Sequence, residues 1–359
     1  MSRRALNLCL GAVFVLAAFL HFRNLGGVVY LNEDEARAFT LMTSGPLIWA
    51  MGSPVYAFFG RTQAAVFYLA AFLGLCSSWF FYRWCRLWFD GRTALAATLV
   101  YAIFPLRINY ARTLFPPVFI EFYFMAALWS ASVGLLKHSQ RRMALSGIFC
   151  AAMLFVHVAC YSMVFALFCA AVVYGYVERR QIGAAHLWRL FSAMAVGLLG
   201  GFLFLEIGFI IVGRGYEYIS KSVIMNDYTH LYARYAQTTR RFVPEFLDQW
   251  RRLPLWFVIF PSTVAAVILF FMHTFRQKSS RLYFICVLYG VGLGLFLLMA
   301  ITGVHTIYER HFVWLSSLCA VAVAATLMRL WAAARRPAKK GLVAFAAVLW
   351  PRCCGRVTR

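Results

Sequence analysis

The chain has 359 residues, of which 63% are hydrophobic and 13% charged, and since soluble domains carry roughly 25% charged residues, an ordinary water-soluble protein is excluded. The 35 Lys and Arg against 12 Asp and Glu give a formal net charge of +23. These basic residues lie between apolar runs and not on one polar face, which is the positive-inside pattern of membrane proteins and argues against nucleic acid as a partner.

The apolar runs are about 17 to 25 residues long, enough to span a hydrocarbon core of about 30 Å. Lipid offers no partner to an open strand edge, so the predicted fold is all-α and polytopic, with about ten transmembrane helices. In chain order the predicted spans are 5–22, 63–82, 93–111, 114–136, 144–158, 160–177, 189–213, 254–275, 282–302 and 310–331. Residues 144–158 and 160–177 are short for two crossings, and either tilt or dip in and return as a hairpin. The stretch 342–350 is too short to cross. Residues 1–331 therefore read as one transmembrane domain, and 332–359 as a basic cytoplasmic tail with a short apolar stretch. Ser2-Arg3-Arg4 before the first run resembles a signal peptide, but no small-residue cleavage site follows, so the run is read as an uncleaved span.

Orientation follows from charge. Arg83, Arg86 and Arg92, then Lys137, Arg141 and Arg142, then Arg179 and Arg180 fall in alternate short connections, which are assigned to the cytoplasm. The opposite, outer side receives the loops 23–62 and 214–253, and with them most of the acidic residues. The ten cysteines are scattered through apolar segments without C-x-x-C spacing, and read as small apolar filler. Loop 214–253 interleaves Tyr and Arg, which suits a sugar or headgroup surface and equally an interfacial belt.

The most informative stretch is Tyr30-Leu31-Asn32-Glu33-Asp34-Glu35, just beyond the first span. Asn32 and Glu35 have capping-box spacing. Acids favour a helix N-terminus, yet three together exceed what a cap requires, and a carboxylate in a cavity shared with arginines is a candidate general base. The predicted helix ends at Gly45-Pro46, and Gly52-Ser53-Pro54-Val55-Tyr56 leads into an apolar stretch too short to span, which is assigned to the interface. Arg107 and Arg112 mark the outer end of one span, where both can snorkel to the interface, either as anion ligands or as headgroup anchors. Glu206 lies inside an apolar run, where a charge is costly and calls for a partner.

The order of these features resembles the GT-C superfamily of membrane glycosyltransferases, in the branch of protein O-mannosyltransferases and lipid A aminoarabinose transferases. The features are a first span, the Asp34-Glu35 pair, Pro54-Val55-Tyr56 as a turn, and Gly60-Arg61 before the second span. They continue with Asp90-Gly91-Arg92, Phe104-Pro105, Tyr110-Ala111-Arg112 and, late in the chain, Tyr308-Glu309-Arg310-His311-Phe312. The resemblance implies that Asp34 is the catalytic acid, deprotonating the acceptor or orienting it, with Glu35 as its partner or as a helix cap. It implies a polyprenyl-phosphate-sugar donor whose phosphate is bound by Arg107, Arg112 and Arg310. Tyr56, His157, Tyr308, Glu309 and His311 are further candidates for substrate contact; His157 stands nearest to where relatives often carry a lysine. No cofactor is implied, and a divalent metal is compatible but not indicated. The acceptor is a lipid, a glycan or a protein, and the membrane is a bacterial inner membrane or that of the endoplasmic reticulum. The competing class is a transporter or flippase for a lipid-linked or anionic substrate. Such a protein is expected to carry internal repeats or Gly/Pro-broken spans in matching halves, and neither is visible in the sequence.

Overall fold

The computed structural model describes residues 2–23, 25, 46–60, 63–112, 116–156, 160–211, 256–277, 280–301 and 314–333. Among these residues the regular structure is helical, with no strand. Helix α1 (Arg3–Phe22) opens on Ser2, whose hydroxyl accepts the Ala5 amide. Helix α2 (Pro46–Phe59) starts at Pro46, a first-turn position where the missing N–H costs nothing. Gly60 then leaves the helix at φ +76°, a conformation that favours glycine. Helix α3 (Gln63–Trp88) is followed by Asp90, which accepts the Arg92 and Thr93 amides and the Thr93 hydroxyl and so starts α4 (Gly91–Ala102). Then come α5 (Pro105–Ala111), α6 (Pro116–Leu136), α7 (Gln140–Val156), α8 (Tyr161–Val177), α9 (Arg179–Ile182) and α10 (Ala184–Ile211). The last three are α11 (Trp256–Gln277), α12 (Ser280–Ile301) and α13 (Leu315–Ala333).

Two expectations are corrected here. The span predicted over 93–111 is not one helix: α4 stops at Ala102 and α5 begins at Pro105. Proline has no amide to bond back into the preceding turn and restricts the residue before it, so the apolar pattern continues while the helix does not. Pro54-Val55-Tyr56, read as a turn, lies inside α2. Packing decides this: Leu47 and Ile48 are buried and α2 rests on α3 and α7, which outweighs the bond lost at Pro54. Among the described residues four helices are long and apolar enough to cross a membrane: α1, α6, α10 and α13.

Helix α6 is the centre of the bundle. It is buried along most of its length, and α3, α7 and α8 pack around it. The Trp88 indole donates to Ser132 from α3, and the Ser146 hydroxyl donates to the Ala127 carbonyl from α7. On the far side of α7, α10 approaches so closely that a Cβ on Gly147 would run into the Met194 carbonyl, and one on Gly197 into the Ala144 carbonyl. Such backbone contact between helices is the small-residue packing of membrane bundles. Helices α4 and α13, and α8 and α12, form two further packed pairs, and α1 lies across α3 and α4. The outward faces of α1 and α10 expose Leu8, Val15 and Phe19, and Leu203, Phe204 and Ile211, which suits contact with lipid.

Candidate functional site

The break between α4 and α5 positions the candidate site. Because α5 is a separate short helix, its axis is free of α4, and Arg107 turns inward. Its side chain is fully buried, and so is that of Glu121 in the second turn of α6. The Arg107 Nε donates to Glu121 Oε1 at 3.1 Å, and the Tyr101 hydroxyl donates to the same oxygen at 2.6 Å. The guanidinium stacks on the Tyr101 ring, its Cζ 4.1 Å from the centroid, and Phe81 stacks on that ring in turn. Arg107 Nη2 donates to the Gly74 carbonyl on α3. Nη1 meets His21 Nε2 at 3.3 Å; with arginine as the donor, the imidazole proton sits on Nδ1, which is buried. Five elements thus converge on one guanidinium: α1, α3, α4, α5 and α6. A buried ion pair is tolerated when its remaining donors find acceptors, and here each of the three guanidinium nitrogens has one contact.

Gly74 makes the convergence possible. A Cβ there would lie 2.7 Å from the Ala111 Cβ and 3.4 Å from the His21 ring. Only a glycine lets α1 and α5 approach α3 closely enough for Arg107 to reach the Gly74 carbonyl.

Arg112 follows α5 directly and has different surroundings. It is partly exposed, and its Nη2 donates to the Arg23 carbonyl at the end of α1 at 3.0 Å. Its Nε is buried without a partner, and no carboxylate among the described residues pairs with it or with Arg23. Burial first and the Arg23 charge second lower the pKa of the Arg112 guanidinium. Both effects penalise the charged form, and a bound anion would relieve both. The pair can therefore receive an anion, and guanidinium geometry suits a phosphate.

The other sequence candidates divide as follows. Arg107 does not snorkel outward as the sequence reading has it; Glu121 holds it inside the bundle. Tyr56 is half-buried on α2 and packed against the core. Asp34, Glu35, His157, Tyr308, Glu309, Arg310 and His311 lie outside the described residues. Glu206 on α10 is partly buried, and its Oε2 has no partner among the described residues. No group of three His, Cys, Asp or Glu that could hold a metal occurs among the described residues. Sequence reasoning missed His21, Gly74 and Tyr101 as parts of one constellation. The available signal was Glu121, a charge inside an apolar helix that demands a counter-ion.

Residues 44–200 match the family of dolichyl-phosphate-mannose-protein mannosyltransferases. This stretch covers α2 to α9 and most of α10, and with them Arg107, Arg112 and Glu121. The whole chain superposes on the oligosaccharyltransferase of Archaeoglobus fulgidus in its apo form, with a TM-score of 0.61 and 11% identity over 98% of this chain and 56% of that one. The likeness in sequence is thus to a GT-C family over residues 44–200, and the likeness in structure is to a GT-C fold. The archaeal oligosaccharyltransferase AglB from Archaeoglobus fulgidus, in complex with an inhibitory peptide and a dolichol-phosphate, gives a TM-score of 0.58 at 11% identity, over 97% of this chain and 55% of that one. The oligosaccharyltransferase of the apo structure, tethered with an acceptor peptide containing the NVT sequon, gives 0.59 at 11% identity, over 98% of this chain and 54% of that one. At this identity the likeness is one of fold, and the chain spans about half the length of the archaeal chains. No curated protein gives a significant sequence match.

Proposed function

We propose that the chain transfers a sugar from a polyprenyl-phosphate-linked donor to an acceptor at the outer face of the membrane. The observation that carries this reading is the Arg23–Arg112 pair, which has no acidic partner among the described residues. It stands where the chain leaves α1 toward Asp34, and Arg112 lies within the residues that match the mannosyltransferase family. That the archaeal enzyme of the same fold binds a dolichol-phosphate supports a lipid phosphate as the leaving group.

In this scheme the Asp34 carboxylate takes the proton from an acceptor hydroxyl, whose oxygen bonds to the sugar C1. The bond from C1 to the phosphate oxygen breaks, and the polyprenyl phosphate departs with the electron pair. Arg112 and Arg310 neutralise the charge that develops on it. Glu35 supports Asp34 or caps its helix, and Arg107 acts at one remove by holding α5, and with it Arg112, against α1 and α3. Tyr56, His157, Tyr308, Glu309 and His311 are assigned to contacts with the sugar or the acceptor. The scheme includes about ten crossings, both termini in the cytoplasm, and a bacterial inner membrane as the setting. Mass spectrometry of lipids, glycans and proteins from cells with and without the gene tests it. The proposal requires a sugar-modified product that disappears with the gene; identical glycan profiles in the two strains would exclude it.

A further inference from the structure

At the other end of the bundle two arginines share one indole. The Arg142 Cζ, from the first turn of α7, lies 5.0 Å from the Trp129 ring of α6, and the Arg83 Cζ, from α3, lies 5.6 Å from it. Arg83 also lies 5.7 Å from the Trp79 ring. These contacts hold two cationic groups at the surface, and no described carboxylate forms an ion pair with either. The acids of this end are Asp90, bonded to Thr93, and Glu178. The acids outside the described residues, at 33–35, 217, 227, 245, 248 and 309, all belong to connections joined to the opposite helix ends. Among the basic residues of this end are Arg86, Arg92, Lys137, Arg141, Arg179 and Arg180. The protein thus supplies almost no counter-charge here.

The surface leading away from the two arginines is apolar. Tyr68, Phe72 and Trp79 are 50%, 56% and 44% exposed, and with Arg83 they recur at helical spacing along one face of α3. A free anion uses the charges alone. A ligand with a negative head and a hydrocarbon tail uses both features. Arg83 lies about 13 Å along α3 from Gly74, at 1.5 Å per residue, so this is a different place from the Arg112 site.

We infer that Arg83, Trp129 and Arg142 form a seat for the headgroup of an anionic phospholipid, in the leaflet opposite the sugar-transfer site. The guanidiniums grip the phosphate, the Trp129 indole keeps them together by cation–π contact, and an acyl chain lies along Trp79, Phe72 and Tyr68.

The test is native mass spectrometry of the full chain in a neutral detergent, titrated with phosphatidylglycerol, phosphatidylcholine or inorganic phosphate. Phosphatidylglycerol is retained in preference to phosphatidylcholine. Arg83→Gln and Arg142→Gln each weaken its binding about fivefold, as expected for one basic residue near a charged headgroup, while Arg141→Gln on the same turn changes it less than about twofold. Equal retention of the two lipids, or equal losses in Arg141→Gln and Arg142→Gln, overturns the seat. Displacement of phosphatidylglycerol by millimolar inorganic phosphate overturns the lipid as occupant and leaves a free-anion site. If a variant does not fold, the wild-type protein decides: the preference for phosphatidylglycerol falls sharply at about 0.5 M salt, where screening is strong, and a salt-independent preference contradicts the assignment.

Discussion

Arg107 and Arg112 lie on one short segment of chain and do different things. Arg107 is enclosed by Glu121, Tyr101, His21 and Gly74, whereas Arg112 meets a carbonyl and another arginine. Their substitutions should separate. Arg107→Leu leaves Glu121 buried without its counter-ion, a fault that typically costs about 3–5 kcal/mol. Thermal unfolding in detergent should show a large loss, and Arg107→Leu combined with Glu121→Leu should recover most of it. A double variant as unstable as the single one would mean that the ion pair is not what holds this junction. Arg112→Lys should leave folding intact but lower transfer, because lysine keeps the charge and loses the paired donors. Full transfer by Arg112→Lys would remove it from phosphate binding. At this scale the sequence was legible in part. Glu121 is a charge in an apolar run, a signal the sequence reading attached only to Glu206, and the groups that enclose its pair with Arg107 come from three other helices. Snorkelling was the natural expectation for an arginine near a span end, but the new helix that opens at Pro105 carries Arg107 inward.

Among the elements, the helices were the most legible, because apolar runs bounded by charge and turn residues leave few alternatives. The break at Ile103–Phe104 was not, since hydropathy continues through it and only Pro105 marks it. The start of α4 makes a testable point. Partial burial works against the Asp90 carboxylate, but the hydrogen bonds from the Thr93 hydroxyl and the Thr93 and Arg92 amides outweigh it and hold its pKa below the usual value. A lowered carboxylate pKa stabilises the folded state above the unfolded value of about 3.9. That contribution fades as the pH falls through the lower folded-state value. Asp90→Ala should cost about 1 kcal/mol at neutral pH, and Asp90→Asn should keep most of the cap while losing its acid-dependent part, both read by thermal unfolding across pH. The α7–α10 seam gives a second test. Gly197→Ala pushes a methyl into the Ala144 carbonyl, while Gly200→Ala meets nothing within 4 Å. The first should lower the midpoint of thermal unfolding and the second should leave it unchanged. Equal effects would show that the helices do not pack as described.

For the whole molecule, the all-helical class was legible because composition and the length of the apolar runs leave few alternatives, and the order of motifs carried the likeness to the mannosyltransferase family. Asp34 and Glu35, proposed as the catalytic acids, and the late element around Arg310 lie outside the described residues, so their roles and their meeting with Arg112 stand as a proposal. Topology is tested by labelling engineered cysteines in intact cells with a membrane-impermeant reagent. A cysteine at Glu245 should react and one at Lys137 should not; the reverse would place Asp34 on the wrong side. The central claim is tested most directly by reconstituting the purified chain in liposomes with a polyprenyl-phosphate-linked hexose and a mixture of candidate acceptors. Products are followed by mass spectrometry for the wild type and Asp34→Asn. The account predicts release of free polyprenyl phosphate with sugar transfer by the wild type, and neither by a folded Asp34→Asn protein that still binds the donor. Transfer by Asp34→Asn at the wild-type rate would contradict it.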